Sequence, residues 1–316
     1  MTKLSEMIDE VSMNLSGYTL QQDRATHLKT DVAATLSTID NPITLSIAST
    51  DSVGKGIVEI DEELFWVDTY DRVGNTATVS PYGRGYLGTT PAAHTAGTKV
   101  TIAPTFPRFT IKRAINDTIS AIGSSIFAAA TTTITSNSAV SAFRLPAGTD
   151  STVNIRGILA VAYQALGSSK EWIPLRNYRF DGNANTTAFT SGQSISIYDY
   201  IPSGRTVQVV YSTNPVPFSD LSTTALTNAQ VFETVSKLPV SCKDLVILGA
   251  TYRLLSNLDP ARASMVSPQA DETDSKRPYG SYQSLTKQVY ALFNQRLNEE
   301  IKKQQDKYPI RVHYSL

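Results

Sequence analysis

Apolar residues recur at helical spacing in four parts of the chain. In the first part, Leu4, Ile8, Val11 and Leu15 fall on one helix face, and Gly17 follows as a residue suited to end the helix. A weaker helical pattern covers residues 225–236. The strong patterns predict helices near 2–16, 108–129, 241–257 and 280–306.

The segment between residues 43 and 103 alternates apolar and polar residues instead. Short runs rich in β-branched and aromatic residues are separated by Asp, Gly and Asn, which is typical of strands joined by tight turns. The predicted strands cover 43–47, 56–60, 63–67, 76–79 and 99–102. They indicate a small β-barrel-like unit over residues 41–104.

A second β segment follows at near-regular spacing. Its predicted strands cover 142–145, 153–156, 158–163, 172–173, 178–180, 187–189, 194–198 and 206–211. This pattern is typical of an antiparallel β-sandwich, here over residues 131–216. The Thr- and Ser-rich run 131–138 fits either a linker or an edge strand.

Together these patterns predict an α+β fold, in which a helical frame carries an inserted small β-barrel-like unit and an inserted antiparallel β-sandwich. The expected domains are an N-terminal helical segment (1–40), a small β unit with a glycine-rich turn (41–104), a helix (105–130), the sandwich (131–216), and C-terminal helices with an extended tail (217–316). The pattern is ambiguous between residues 18 and 40, because 20–29 fits a short helix and 32–38 fits a strand.

Charge is balanced over the whole chain but not along it. Lys plus Arg and Asp plus Glu number 28 each, so no net field attracts nucleic acid or an anionic membrane. Residues 1–104 contain 13 acidic and 7 basic side chains, whereas residues 276–316 contain 3 acidic and 8 basic ones. Opposite charges at the two ends suit stacking between different partners, and solvated faces are the alternative interpretation.

The cysteine content and the N-terminal sequence indicate the kind of compartment in which the chain is made. Cys242 is the only cysteine, so no disulfide can form within the chain, and we expect synthesis in a reducing compartment. A helix start can lower the pKa of a thiol, but the apolar run after Cys242 favours a buried packing role. The first ten residues carry charges where a signal peptide would be apolar, and no segment approaches the ~18 apolar residues of a membrane span.

Residues 83–88 match the pattern G-x-G-x-x-G, which can bind a dinucleotide when a helix follows directly. Here Pro91 and the predicted strand 99–102 follow, so the pattern indicates a turn between strands rather than a phosphate site. The glycines would permit positive φ. We expect Arg84 and Tyr86 to project outward and His94 to tie the loop down.

Other candidate chemistry is sparse. The three histidines are His27, His94 and His313, no G-x-S-x-G occurs, and the few Cys and His residues are too scattered for a zinc site. The run from Asp61 to Glu63 has cation ligands, but its place in a hairpin favours a solvated turn. The segment 181–185 predicts a turn rather than a calcium loop, because residue 192 is Gly where that loop needs Glu. No enzyme activity, cofactor or metal is predicted.

Several segments together resemble structural proteins of tailed bacteriophages, in the neck or head-to-tail connector class. These are Leu4–Glu10 with Leu15–Tyr18, the hairpin Ile57–Val67, the turn Gly83–Thr90 with His94, and Phe106–Asn116. The resemblance covers the first 120 residues best. The later sandwich and helices match only in style.

The resemblance implies a virion protein of the neck, made in the host cytoplasm, with no membrane partner. Such connectors, or adaptors, form a ring, commonly of twelve copies. The ring binds beneath the portal protein and above the next neck or tail protein, and genome DNA passes through its lumen.

Two sets of residues are candidates for partner binding on this interpretation. One set is the turn pair Arg84 and Tyr86. The other is the strand-like tail, which we expect to dock on a neighbouring ring by adding a strand to an exposed edge. Its candidate residues are Tyr308, Ile310, Arg311, Val312, His313, Tyr314 and Leu316.

Two other functions remain open. A phage baseplate or tail protein would use the sandwich to bind host carbohydrate, which requires clustered exposed aromatic side chains. A hydrolase would require pairs of Asp or Glu that converge in a cleft.

Overall fold

The computed structural model describes residues 2–19, 23–48, 53–137, 139–146, 153–166, 170–219, 228–257 and 281–309. Over these residues the chain is a mixed α and β protein with antiparallel sheets, as the predicted α+β class requires. It divides into two compact units. Unit 1 comprises Met1–Thr118, Phe218–Phe232 and Lys243–Gln295, and unit 2 comprises Ile119–Pro217, Glu233–Cys242 and Arg296–Leu316.

The described residues form five helices: α1 (Leu4–Thr19), α2 (Arg108–Ile122), α3 (Phe232–Ser236), α4 (Lys243–Ser256) and α5 (Ser281–Lys307). The four predicted long helices are confirmed, but α1 continues through Gly17 to Thr19, and α2 ends at Ile122 and not near 129. Gly123 follows, and the chain from Ala128 onward is extended because its backbone pairs with another strand. The end of the weak pattern over 225–236 forms the short α3, and residues 225–227 lie outside the described residues.

Close helix packing in unit 1 depends on a glycine in the middle of α4. A Cβ at Gly249 would overlap the methyl group of Thr118 on α2 and lie 3.0 Å from Cε2 of Phe293 on α5. Tyr252 on α4 adds ring contacts with Tyr290 and Phe293, at centroid distances of 5.2 and 5.4 Å. The three helices therefore pack through a small residue surrounded by aromatic rings.

Unit 1 also contains a six-stranded antiparallel sheet in the order β1-β6-β3-β4-β5-β2. Its strands are β1 (Arg24–His27), β2 (Thr44–Ser46), β3 (Gly56–Ile60), β4 (Glu63–Asp71), β5 (Thr76–Arg84) and β6 (Lys99–Ile102). The sheet is curved, and the residues that follow its two edge strands, Leu28 after β1 and Ile47 after β2, form an isolated bridge. Buried residues such as Phe65 and Val100 form its core. The strands predicted within 43–103 are confirmed, and the ambiguous segment before them contains β1.

Unit 2 contains two antiparallel sheets, in the orders β10-β9-β13-β7 and β11-β12-β8. The strands are β7 (Ala128–Thr135), β8 (Ala142–Arg144), β9 (Ile155–Gln164), β10 (Trp172–Pro174), β11 (Tyr178–Asp181), β12 (Ser194–Ile197) and β13 (Thr206–Thr213). Residues from both sheets, including Val161, Ile195 and Val209, share one core. The sheets therefore bury their inner faces against each other.

Two details of the predicted sandwich change. The two strands predicted over 153–163 are one continuous strand, β9. The strand predicted at 187–189 is wrong, because Asn185 folds this segment into a turn in which its side chain accepts the amide of Thr187 at 2.9 Å. The run 131–138 includes most of β7, which is an edge strand rather than a linker. The turn predicted at 181–185 is confirmed by the bond from the Asn183 amide to Asp181.

Candidate functional site

The glycine-rich turn joins β5 to β6 as a tight excursion. Gly85 and Gly88 have φ of +65° and +86°, which glycine adopts without strain. Gly83 is required for space instead, because a Cβ there would lie 2.8 Å from the carbonyl oxygen of Trp66. The predicted turn between strands is therefore confirmed, with different reasons for its glycines.

Arg84 is buried in the turn, so the expectation that it projects outward is wrong. Its side chain is 0 % exposed, and Nε donates to Oε1 of Glu63 at 2.7 Å. Nη2 donates to the other carboxylate oxygen of Glu63 and to the carbonyl of Ala92, and Nη1 donates to the carbonyls of Ala33 and Thr35. All five N–H donors of the guanidinium thus have acceptors within the turn and its neighbours.

Glu63 is the centre of this cluster. Its carboxylate accepts the backbone amides of Gly85 and Ala92, at 3.3 and 2.9 Å, in addition to the guanidinium. His94 lies between two carboxylates, with Nε2 2.9 Å from Glu63 and Nδ1 2.8 Å from Asp61. The prediction that His94 ties the loop down is confirmed. We call Asp61, Glu63, Arg84 and His94 the turn cluster.

The turn cluster shifts two pKa values in opposite directions. Burial alone would raise the pKa of Glu63, but hydrogen bonds from His94 and Arg84 outweigh it and hold that pKa below its usual value. Burial alone would lower the pKa of His94, but its bonds to Glu63 and Asp61 raise it. Both shifts favour the charged forms of the two side chains.

The acidic run from Asp61 to Glu63 is not the solvated turn that the sequence favoured. Glu62 and Glu63 are 5 % and 2 % exposed, and only Asp61 reaches solvent. Glu62 pairs with the buried ammonium of Lys112 on α2 and accepts the side-chain amide of Asn228 at 2.7 Å. The carboxylates are buried because cations distant in sequence neutralise them.

A polar cleft of about 630 Å³ opens beside the turn cluster in unit 1. Its charged lining residues are Glu59, Asp61, Glu62, His94, Lys99 and Arg108. Glu59 accepts the backbone amide of Arg108 at 2.7 Å and thereby caps the N-terminus of α2. Burial raises the pKa of Glu59 to about 7, although that amide opposes the shift.

The side chains that do project from the turn are Tyr82 and Leu87, which are 72 % and 57 % exposed. Both residues have positive φ, at 58° and 56°. Tyr86 is half-buried, and its ring packs on Trp66 at a centroid distance of 5.3 Å. The exposed pair was missed because a pattern of glycines does not show which of the intervening side chains turns outward.

Unit 2 has a concavity of its own, of about 400 Å³, beside the start of β7. At its wall, Glu300 accepts the hydroxyl of Ser241 at 2.7 Å and pairs with Lys303 at 2.6 Å. Cys242 is buried there, and burial together with the nearby Glu300 carboxylate raises its thiol pKa to about 12. The predicted packing role of Cys242 agrees with this position.

Tyr308 is the only candidate residue of the tail that the structure describes. Its ring lies 5.8 Å from that of Phe127, and Lys307 lies over it at 5.4 Å. The other candidates, Ile310, Arg311, Val312, His313, Tyr314 and Leu316, lie outside the described residues.

Comparison with protein-family models and with curated proteins gives no match to this chain. Among the described helices, none is both long and apolar enough to cross a membrane.

The hydrogen-bonding groups of His94 and Arg84 are engaged within the protein. A general base needs a ring nitrogen that faces its substrate, whereas both nitrogens of His94 are engaged with carboxylates. A phosphate contact needs free guanidinium donors, whereas those of Arg84 are all engaged. The motif that most resembles a ligand site therefore stabilises its own backbone.

Proposed function

We propose that this chain is a structural protein of a tailed-bacteriophage virion, namely a head-to-tail connector that forms a ring between the portal and the tail. Genome DNA passes through the lumen of the ring. The four long helices serve as the frame of the subunit, and the barrel-like and sandwich units are its appendages.

The turn cluster is the observation that carries this proposal. It lies in a segment that resembles connector proteins, and its buried ion pairs hold a protruding turn rigid. A rigid turn presents Tyr82 and Leu87 to a partner with little loss of conformational entropy on binding. This suits a subunit whose surfaces must fit their neighbours in a closed ring.

One observation favours a second function, a baseplate or tail protein that binds carbohydrate. On the sandwich, Tyr198 and Tyr200 are 65 % and 85 % exposed on either side of Asp199. The Asp199 carboxylate accepts the backbone amides of Arg176 and Asn177, which fixes this loop. Exposed aromatic rings on a fixed loop suit stacking against sugar rings.

Negative-stain imaging of the purified chain, alone and mixed with the portal protein of the same phage, separates the two functions. The connector predicts rings that bind the portal coaxially. Trimers or monomers that do not bind the portal protein but bind host glycans would favour the baseplate function.

A further inference from the structure

The four edge strands of the sandwich in unit 2 differ in how they are protected against pairing. β8 and β10 have three residues each and contain Arg144 and Pro174, and the four-residue β11 contains Arg179 and Asp181. β7 has eight residues, all Ala, Thr or Ile. Short length, charge and proline are the usual protection of an edge, and β7 has none of them.

Within the part of the chain that the structure describes, no strand lies on the outer side of β7. Among the described strands, only β13 pairs with it. At its start, the side-chain amide of Gln304 occupies both backbone groups of Phe127, accepting its N–H at 3.1 Å and donating to its carbonyl at 2.6 Å. Because backbone groups alternate along a strand, the odd-numbered residues 129–135 direct theirs to that same outer side.

The side chains of β7 show which kind of strand would fit there. Ala130 and Ile134 lie at the margin of the sandwich core, whereas Thr131, Thr133 and Thr135 are exposed on the other face. An added strand with alternating apolar and polar residues would extend the core on one face and remain solvated on the other.

Residues 310–316 of the chain have this alternation. Ile310, Val312, Tyr314 and Leu316 alternate with Arg311, His313 and Ser315. We propose that the open edge of β7 binds residues 310–316 of a second copy of the chain as an added antiparallel strand. The matching register places Ile310 opposite Ile134 and His313 opposite Thr131, so the apolar side chains face the core margin.

The direction of the added strand relative to β7 shows whether it comes from the same chain or from a second copy. The tilted ring contact of Tyr308 with Phe127 brings the chain to the first residue before β7. Residues 310–316 of the same chain would therefore run parallel to β7 from that end, because β7 is ~23 Å long at ~3.3 Å per residue. Every pairing in the sandwich is antiparallel, which is also the more stable arrangement, and only another copy can continue it.

This inference rests on the proposed ring, which brings neighbouring copies into contact. Disulfide trapping tests it, between variants of the full chain that each carry one introduced cysteine in addition to the buried Cys242. Thr133→Cys on one copy and Arg311→Cys on the other lie opposite each other in the antiparallel register. Mixing the two variants under mild oxidation should give a covalent dimer at least ~10-fold faster than a control mixture, because proximity raises the effective concentration. The control mixture pairs Arg311→Cys with Val73→Cys, an exposed position in unit 1.

Three results would overturn the inference. One is a covalent dimer from Thr133→Cys with Ser315→Cys in place of Arg311→Cys, which indicates a parallel strand. Another is a disulfide within one chain of the double variant Thr131→Cys/His313→Cys, without dimers. The third is a dimer yield no higher than that of the control. If imaging shows rings but no dimer is trapped, strand addition is rejected and the proposed connector function stands. If dimers are trapped but imaging shows no rings, the proposed ring assembly is rejected.

Discussion

Arg84 and Glu63 form a two-point ion pair that is closed to solvent, with Nε 2.7 Å from Oε1 and Nη2 3.2 Å from Oε2. The residues lie near the ends of adjacent strands, β5 and β4. Their pairing closes the glycine-rich turn over the sheet. The ion pair therefore stabilises the fold, and its contribution can be measured as a change in the free energy of unfolding.

Arg84→Ala should lower the free energy of unfolding by roughly 3–5 kcal/mol, because it leaves the Glu63 carboxylate buried without its guanidinium. Urea denaturation measures this change. The control Arg72→Ala removes an exposed arginine and should change stability by less than ~0.5 kcal/mol. Equal stability of the two variants would show that Arg84 is not a structural residue.

Unlike Arg84→Ala, the variants Tyr82→Ser and Leu87→Ser should weaken partner binding without lowering stability. Both side chains are exposed, so the free energy of unfolding should change by less than ~0.5 kcal/mol. Binding to the portal or to neighbouring copies should weaken, since these side chains supply apolar contact area. Sedimentation velocity of each variant with the portal protein measures this, and undiminished association would remove the turn from the interface.

Glu59→Gln should make stability less dependent on pH. The folded-state pKa of Glu59 is about 7, against an ordinary value of 4.5, so the unfolded chain ionises first as pH rises. The native protein therefore loses stability between about pH 4.5 and 7, on the order of 3 kcal/mol at ~1.4 kcal/mol per pKa unit. Glu59→Gln should remove this loss and be the more stable protein at pH 8.

Thermal or urea unfolding at a series of pH values tests this expectation. The control Asp40→Asn removes an exposed carboxylate. A difference between wild type and Glu59→Gln that stays constant from pH 4 to 8 would contradict the raised pKa.

The same substitution should have opposite effects at two helical glycines. Gly249→Ala should destabilise by about 1–3 kcal/mol, because its Cβ overlaps Thr118 and approaches Phe293. Gly17→Ala, near the end of α1, has nothing within 4 Å and should stabilise by up to ~1 kcal/mol through helix propensity. If Gly249→Ala also stabilised the protein, the close packing of α4 would be wrong.

Cys242 should not react with a thiol reagent in the folded protein. The residue is 1 % exposed and its pKa is raised to about 12, so little thiolate is present at neutral pH. Titration with Ellman's reagent should detect the thiol only after denaturant is added. Rapid reaction of the native chain would contradict its burial, and it would add background to the disulfide trapping.

The elements that the sequence predicted well are those encoded locally. The periodicity of Leu4, Ile8 and Val11 belongs to a single helix face, and the strands of 43–103 are each set by their own alternation. The end of α2 was wrong because the strand that follows depends on pairing with β13, more than 70 residues away. Local propensity does not indicate a pairing partner so distant in sequence.

The candidate site was less predictable for the same reason. Arg84 appeared as an exposed charge between glycines, and Glu63 as part of a solvated turn. They lie 21 residues apart, and only the register of β4 and β5 makes them partners. The role of His94 was predicted from its position just after the turn, but its partners Asp61 and Glu63 lie 33 and 31 residues away and were not predicted.

The proposed connector assembles into a ring that binds the portal. Native mass spectrometry of the chain mixed with the portal protein tests it most directly. The connector predicts one complex that contains the portal and a closed set of about twelve copies of the 34.3 kDa chain. A chain that remains a monomer or a trimer, without bound portal, would contradict it.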